Sequence, residues 1–233
     1  MGFSIDLVEE LVRPALEKKL GKPIKLEKKE STPPTRIPLL TSNAVDLIAG
    51  TMTDTRTRRE SVDFSITFFV TGAQFLVKKG SPIKGIQNID GRRIAAQQGS
   101  TNARIIREKA PTAQLREFPD QPAAFQALPQ GQVDAYTNDG IQLAGLKAKA
   151  PNPAQWEIVG DFFSYEPYGM AMRKNDSDFR SGGERGPHGR HRERQVLRDL
   201  RQVVRAQGRA ALSHERGGAA VHDLPGRAEV ASA

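Results

Sequence analysis

Apolar residues recur at helical spacing from Ser4 to Leu20, where Ile5, Val8, Leu11, Val12, Leu16 and Leu20 share one face. Ser4 can cap the start of this helix and Gly21 its end, and Pro14 is expected to kink it or shift its first turn. The period then changes to two. Ile24 to Lys29 reads as a strand, and Ser31-Thr-Pro-Pro-Thr as a turn. A short helix over Arg36 to Ser42 leads to a buried strand at Val45-Asp-Leu-Ile-Ala and a polar, threonine-rich loop from Gly50 to Ser61. Val62 to Val70, Ala73 to Lys78 and Gly91 to Gln97 read as strands, followed by a helix running to Lys109. Strands at Leu115–Phe118 and Val133–Asn138 then alternate with helices at Pro122–Leu128 and Ile141–Ala150, and strands at Trp156–Val159 and Tyr168–Arg173 follow. Such alternation predicts an α/β fold with largely parallel sheets.

Two segments repeat one pattern. Leu40-Thr-Ser-Asn43-Ala-Val45-Asp46 and Leu128-Pro-Gln-Gly131-Gln-Val133-Asp134 each close a helix with Asn or Gly and enter a strand through Val-Asp. They read either as two related lobes or as two ordinary helix-to-strand turns.

Composition narrows the class. The 233 residues are 37% hydrophobic and 27% charged, and no apolar run approaches the ~20 residues of a membrane helix. Without cysteine there is no disulfide, thiolate metal site or cysteine nucleophile. The chain enters a helical pattern almost at once, so no leader is visible; either the protein is cytoplasmic or its start is missing. A net charge of +8 invites a nucleic-acid reading. Its distribution argues against one: residues 1–180 carry 25 basic and 21 acidic side chains, and Trp156 lies in no basic stripe.

After Arg180 the character changes. All four histidines lie there, and no lysine follows Lys174. A basic tail accounts for this, and so does a shifted reading frame. Back-translation from Gly182 permits an alternative frame holding a long amphipathic helix, more aromatic residues and a stop near the end. We expect residues 181–233 to be a frameshifted, non-native segment.

Four groups of residues carry candidate chemistry. Thr51 and Thr53 follow a strand end, and Arg58 lies a short loop further on. A guanidinium with nearby hydroxyls suits a carboxylate, although a polar surface loop would look the same. Gln97-Gln-Gly-Ser100-Thr101 joins a strand to a helix start, which is either an anion site or a plain N-cap. Asp139 ends a strand where open α/β sheets bind ligands; it could pair with an ammonium group or cap the next helix. Arg36 opens a helix and could hold a second carboxylate or simply be solvated.

Together these motifs resemble the family-3 solute-binding proteins, the receptors of amino-acid ABC importers, and most of all their glutamate/aspartate-binding members. The segments that carry the resemblance are GFSIDLVEELV, TRIPLLTSNAVDLIAGTMTDTRTRRESVDFS, FLVKKGSPIKGIQNIDGRRIAAQQGSTNARI and KAKAPNPAQWEIVGDFFSYEPYGMAMRKND, in family order. The resemblance implies a periplasmic-binding-protein type II fold: two lobes, each a mostly parallel sheet flanked by helices, joined by two hinge strands. It implies lobe 1 at 1–72 without its N-terminal strand, lobe 2 at 73–167 and a return to lobe 1 at 168–180.

By the same resemblance, Thr51, Thr53 and Arg58 contact the α-carboxylate and α-amino groups, and Ser100 and Thr101 the carboxylate. Asp139 receives the ammonium, Arg36 holds a side-chain carboxylate, and Gln97 and Gln121 face the ligand. The implied protein is a periplasmic, non-catalytic monomer that needs no cofactor or metal. It binds a polar or acidic amino acid such as glutamate or aspartate and serves the importer's permease subunits. A dehydratase-like enzyme on the same fold, or an inactive truncated remnant, are the alternatives.

Overall fold

The structure, a computed structural model, describes residues 3–175; the reading of 181–233 as a frameshifted tail lies outside them. The amphipathic N-terminal stretch forms helix α1 (Phe3–Leu7), a π-helical turn (Val8–Val12) and helix α2 (Arg13–Leu20). The expected irregularity at Pro14 takes the form of that π turn. Arg13 N–H closes it on the Val8 carbonyl, so the proline begins a fresh α-helical segment rather than breaking one. Gly21, at φ +64°, ends the helix in the left-handed conformation.

Ile24 to Lys29 is not a strand, contrary to its alternating pattern. Ile24 and Leu26 instead line a cavity of about 1070 Å³ together with Leu16, Leu39 and Leu47. The alternation reflects one apolar side, without a ladder partner to turn it into a sheet.

Helix α3 (Pro33–Thr41) packs Leu40 against Ile48, Met52, Val62 and Ala171, the core of a small antiparallel sheet. That sheet has the order β1 (Leu47–Ile48), β10 (Ala171–Arg173), β2 (Val62–Phe64). Between β1 and β2 the polar loop holds one helical turn, α4 (Arg56–Arg59).

The larger sheet contains β4 (Ala73–Lys78), β5 (Arg93–Gln97), β6 (Gln114–Phe118), β7 (Ala135–Asp139) and β8 (Trp156–Val159), in the order β6-β5-β7-β4-β8. Its β5 pairs in parallel with both β6 and β7, whereas β4 runs antiparallel to β7 and β8. The expectation of largely parallel sheets is therefore corrected to a mixed sheet. Strict alternation sends Phe75, Ile94 and Ala135 to one core and Leu76, Ala95 and Tyr136 to the other. Helix α5 (Thr101–Lys109) covers the first face through Ile105 and Ile106; α6 (Gln121–Gln126) and α7 (Gly140–Lys149) cover the second through Ala124 and Leu143. Fully burying one of these large side chains stabilises by about 1.5–3 kcal/mol.

Two short strands carry the chain between the sheets. β3 (Phe69–Thr71) and β9 (Glu166–Tyr168) pair antiparallel, with Thr71 opposite Glu166. What reads in sequence as single strands over 62–70 and 168–173 is thus divided, since each run serves one sheet and one crossing. At Gly169 an added Cβ would lie 3.0 Å from the Phe64 ring, so a larger residue there would require that ring to shift.

The repeated Val-Asp turns have matching geometry. Asn43 (φ 59°) and Gly131 (φ 68°) are both left-handed, and Ala44 N–H and Gln132 N–H reach back to the carbonyls of Leu39 and Ala127. In each turn the aspartate then holds an arginine of the neighbouring strand. Asp46 takes Arg173 at 3.0 Å, and Asp134 takes Arg93 at 2.6 Å.

Candidate functional site

The C-terminal ends of β1 and β7 deliver the predicted residues to the crossing strands. After β1 the chain turns through Thr51 to Thr53, which is 4% exposed and bridges to Tyr168 of β9. Thr55 caps the following turn by accepting from Arg58 N–H, and this fixes where the Arg58 side chain begins. Arg58 then reaches back to donate Nη1 to the Thr53 carbonyl at 2.8 Å. Arg36 does the same from α3, donating Nη1 to the Thr51 carbonyl at 2.8 Å. The Nε of Arg36 is buried without a hydrogen-bond partner among the described residues.

Asp139 occupies the N-cap position of α7, yet its side chain makes no capping bond. The carboxylate instead accepts from Asn102 Nδ2 at 3.0 Å and from the Tyr168 hydroxyl. Asn102 is 3% exposed, and its Oδ1 is also buried without a partner. An orphaned acceptor beside a carboxylate is a setting for a cation with several N–H donors.

Glu166 connects the two halves. It is 1% exposed, and its Oε2 accepts from Thr53 Oγ1 at 2.5 Å and from Thr101 Oγ1 at 2.8 Å. Both threonine hydroxyls therefore spend their one hydrogen on a bond donated to Glu166. What they present to a further group is lone pairs, which suits an ammonium better than a carboxylate.

Burial raises the Asp139 carboxyl above its ordinary range, helped by repulsion from Glu166 and opposed by the donors from Tyr168 and Asn102. Burial likewise lowers Arg58, against the attraction of Glu166 and Asp139. Arg36 is brought down to about 10 by desolvation and by repulsion from Arg58. The Tyr168 phenol is pushed far up by burial and by Asp139, so it stays a donor.

Thr53, Arg58, Thr101 and Asp139 converge in this way, with Arg36 and the Thr51 carbonyl beside them. Ser100 caps α5, its hydroxyl accepting from Ala103 N–H. Gln97 ends β5 before the Gly99 turn, and Gln121 gives its amide to Gln142 Oε1 at 3.0 Å. Among the described residues, neither glutamine is hydrogen-bonded through its side chain to the carboxylate cluster. Three residues of the cluster escape sequence reasoning: Glu166, Tyr168 and Asn102. The signal for Glu166 was a carboxylate set between aromatics in Tyr165-Glu-Pro-Tyr168. The cavity between α2 and β1, which Glu9, Glu27, Lys28 and Asp46 line beside its apolar residues, holds none of Thr53, Arg58, Thr101, Asp139 or Glu166.

Residues 1–186 match the family described as bacterial extracellular solute-binding proteins, family 3. The chain belongs to this family. It is 41% identical over 177 residues to the ABC transporter glutamine-binding protein GlnH of Bacillus subtilis, covering 76% of this chain and 62% of that protein. With the glutamate/aspartate import solute-binding protein of Salmonella typhimurium it shares 34% over 185 residues, covering 77% and 61% respectively. The chain thus matches about three fifths of the length of these relatives.

Among solved structures, an ancestral arginine-binding protein bound to glutamine superposes with a TM-score of 0.70 at 31% identity, covering 87% of this chain and 82% of that one. An ancestral amino-acid-binding protein described as a precursor of cyclohexadienyl dehydratase gives 0.65 at 28%, covering 90% and 80%. These neighbours bear out the type II binding-protein fold expected of the family-3 resemblance. The relatives are amino-acid-binding proteins, of glutamine as well as of glutamate and aspartate.

Proposed function

We propose that this chain is the substrate-binding component of an amino-acid ABC importer, taking a polar L-amino acid of the glutamate or glutamine kind between two lobes. The lobes would be 1–72 with 168–180, and 73–167, hinged at the paired strands β3 and β9. One observation carries the reading. A guanidinium, Arg58, and a carboxylate with an orphaned acceptor beside it, Asp139 with Asn102, are held at one place by different sheets. An α-amino acid offers the complementary pair on adjacent atoms. Its carboxylate suits Arg58 through charge-assisted bonds, and its ammonium suits Asp139, Asn102 Oδ1 and the threonine lone pairs.

Ligand held by both lobes favours the closed arrangement by its differential contacts, and closure gives the permease subunits a shape to recognise. The extracytoplasmic site of action follows from the family and from this role. We read the site as non-catalytic, since Asp139 and Glu166 each accept two donors that hold them as recognition groups.

Calorimetry of the full chain against a panel of amino acids, sugars and divalent metals tests this. One-to-one binding of an amino acid is expected. Binding of sugars or metals alone, or of no amino acid, would sink the reading.

A further inference from the structure

We propose that the cavity between α2 and β1 accepts one extended strand, a short, uncharged, apolar segment of another polypeptide chain that pairs through its main chain with β1. The spacing of the lining residues carries this. From the N-terminal helices come Ile5, Val8, Val12 and Leu16, one at every third or fourth position, which is one face of a helix. The other walls are unbroken runs, Ile24 to Lys29 and Ala44 to Gly50. Successive side chains of an extended chain point to opposite faces, so a whole run touches one cavity only where its edge faces it. Two chain edges therefore flank the cavity, and a helical face lies over it.

Both edges have main-chain groups to offer. β1 stands at the end of the order β1-β10-β2 and pairs antiparallel with β10 on one side. In such a ladder alternate N–H and C=O groups point away from the partner strand, here toward the cavity. Among the described residues, no main-chain bond joins Ile24, Lys25, Leu26 or Glu27 to β1, and the Ile24 N–H goes to Glu17 Oε1 at 3.0 Å. A strand laid between the two edges can bond to both, which is how extended peptides add to a sheet.

The side chains specify the occupant. Ile5, Val8, Val12, Leu16, Ile24 and Leu26 are only half-buried, whereas Leu7 of α1 is 4% exposed. Apolar residues at alternate positions of an inserted strand would complete their burial. The charges around the cavity are matched among themselves, Glu9 with Lys28, Glu27 with Lys25 and Asp46 with Arg173. Among the described residues only Lys29 is left over, at the end of its run, so a charged segment finds no counterpart inside. Walls of this length suit a strand of about six residues, roughly 20 Å long. None of Thr53, Arg58, Thr101, Asp139 or Glu166 lines the cavity, so the inference stands apart from the amino-acid reading.

The probe is a capped, fluorescein-labelled peptide of about eight residues, Val or Ile alternating with Thr, titrated into the full chain and followed by anisotropy. Saturable one-to-one binding is expected. Methylating the main-chain nitrogens of the Thr residues keeps every side chain and removes the donors of one edge, so that peptide should bind at least about tenfold more weakly. Leu26→Pro removes a main-chain donor for which no described residue is the acceptor, and it should weaken the unmethylated peptide to a similar extent with the melting temperature unchanged. Should Leu26→Pro fail to fold, the methylated peptide on the wild-type chain still decides. Absence of saturable binding, or equal binding of the methylated peptide, overturns the proposal. A dimer in sedimentation equilibrium that the peptide does not dissociate also overturns it, since a second copy would then hold the edge.

Discussion

The Tyr168 hydroxyl donates to the Asp139 carboxylate, tying crossing strand β9 to the end of β7. Both groups are buried, at 3% and 4% exposed. The bond orients the carboxylate before any ligand arrives. Removing it with Tyr168→Phe should leave the fold intact and weaken amino-acid binding about tenfold, the ~1.5 kcal/mol expected of a hydrogen bond to a charged group. Calorimetry of the variant beside the wild type checks this; unchanged affinity would show that the bond does not organise the site.

Asp139 sets function against stability. Its carboxyl is raised in the folded protein, chiefly by desolvation. A raised acid contributes stability below its unfolded value, and the contribution is lost as pH climbs through the folded value. Asp139→Asn removes the charge and should melt at or above the wild-type temperature at pH 7 without ligand, with the difference shrinking as pH falls into the carboxylate range. The same variant should lose at least 100-fold in amino-acid affinity, roughly 3 kcal/mol. Thermal melts at several pH values and one titration test both halves.

Affinity should also depend on pH in a predictable direction. In the proposed assignment an ammonium binds the ionised Asp139, so affinity should fall as pH is lowered through that raised titration, and binding there should release a proton. Arg36, at about 10, and Arg58 keep their charge through this window. Titrations in two buffers of different ionisation enthalpy would detect the proton; an affinity that is flat down to the ordinary carboxylate range would contradict the assignment.

Arg58→Lys preserves charge and loses the planar fork. Since Nη1 is already on the Thr53 carbonyl, the remaining guanidinium donors are the ones a ligand carboxylate would use. We expect a loss of about 30- to 100-fold for Arg58→Lys and more for Arg58→Ala, measured by titration, with melting temperature little changed.

The Asp134–Arg93 clamp supports the larger sheet rather than the ligand. Arg93 holds the Asp134 carboxyl below its usual range, so this stability is present above the unfolded value and lost as pH falls through the lowered one. Asp134→Ala should cost about 1 kcal/mol in a denaturant melt at pH 7 and leave affinity unaffected, since the pair is partly solvated.

Most of the larger sheet was legible because its central strands are short apolar runs buried on both faces, and α5 and α6 carry side-chain caps. Trp156 to Val159 matches to the residue. The crossings were less so. At three residues each, β3 and β9 are too short for a period to emerge, and they merged with their neighbours. The site divided in the same way. Arg58, Thr53 and Asp139 announce themselves by local motif. Glu166 acquires its meaning from Thr53, 113 residues away, and no local pattern can report that.

The paired turns at Asp46 and Asp134 fix more than a helix end. From each pinned aspartate the chain runs five residues to a residue of the candidate site, from Asp46 to Thr51 through the two-residue β1 and from Asp134 to Asp139 along β7. On the proposed two-lobe reading, each side of the cleft is reached at the same count of residues from the same kind of anchor. A single residue inserted or deleted within β7 would turn Asp139 to the opposite face of the sheet, away from the proposed ligand.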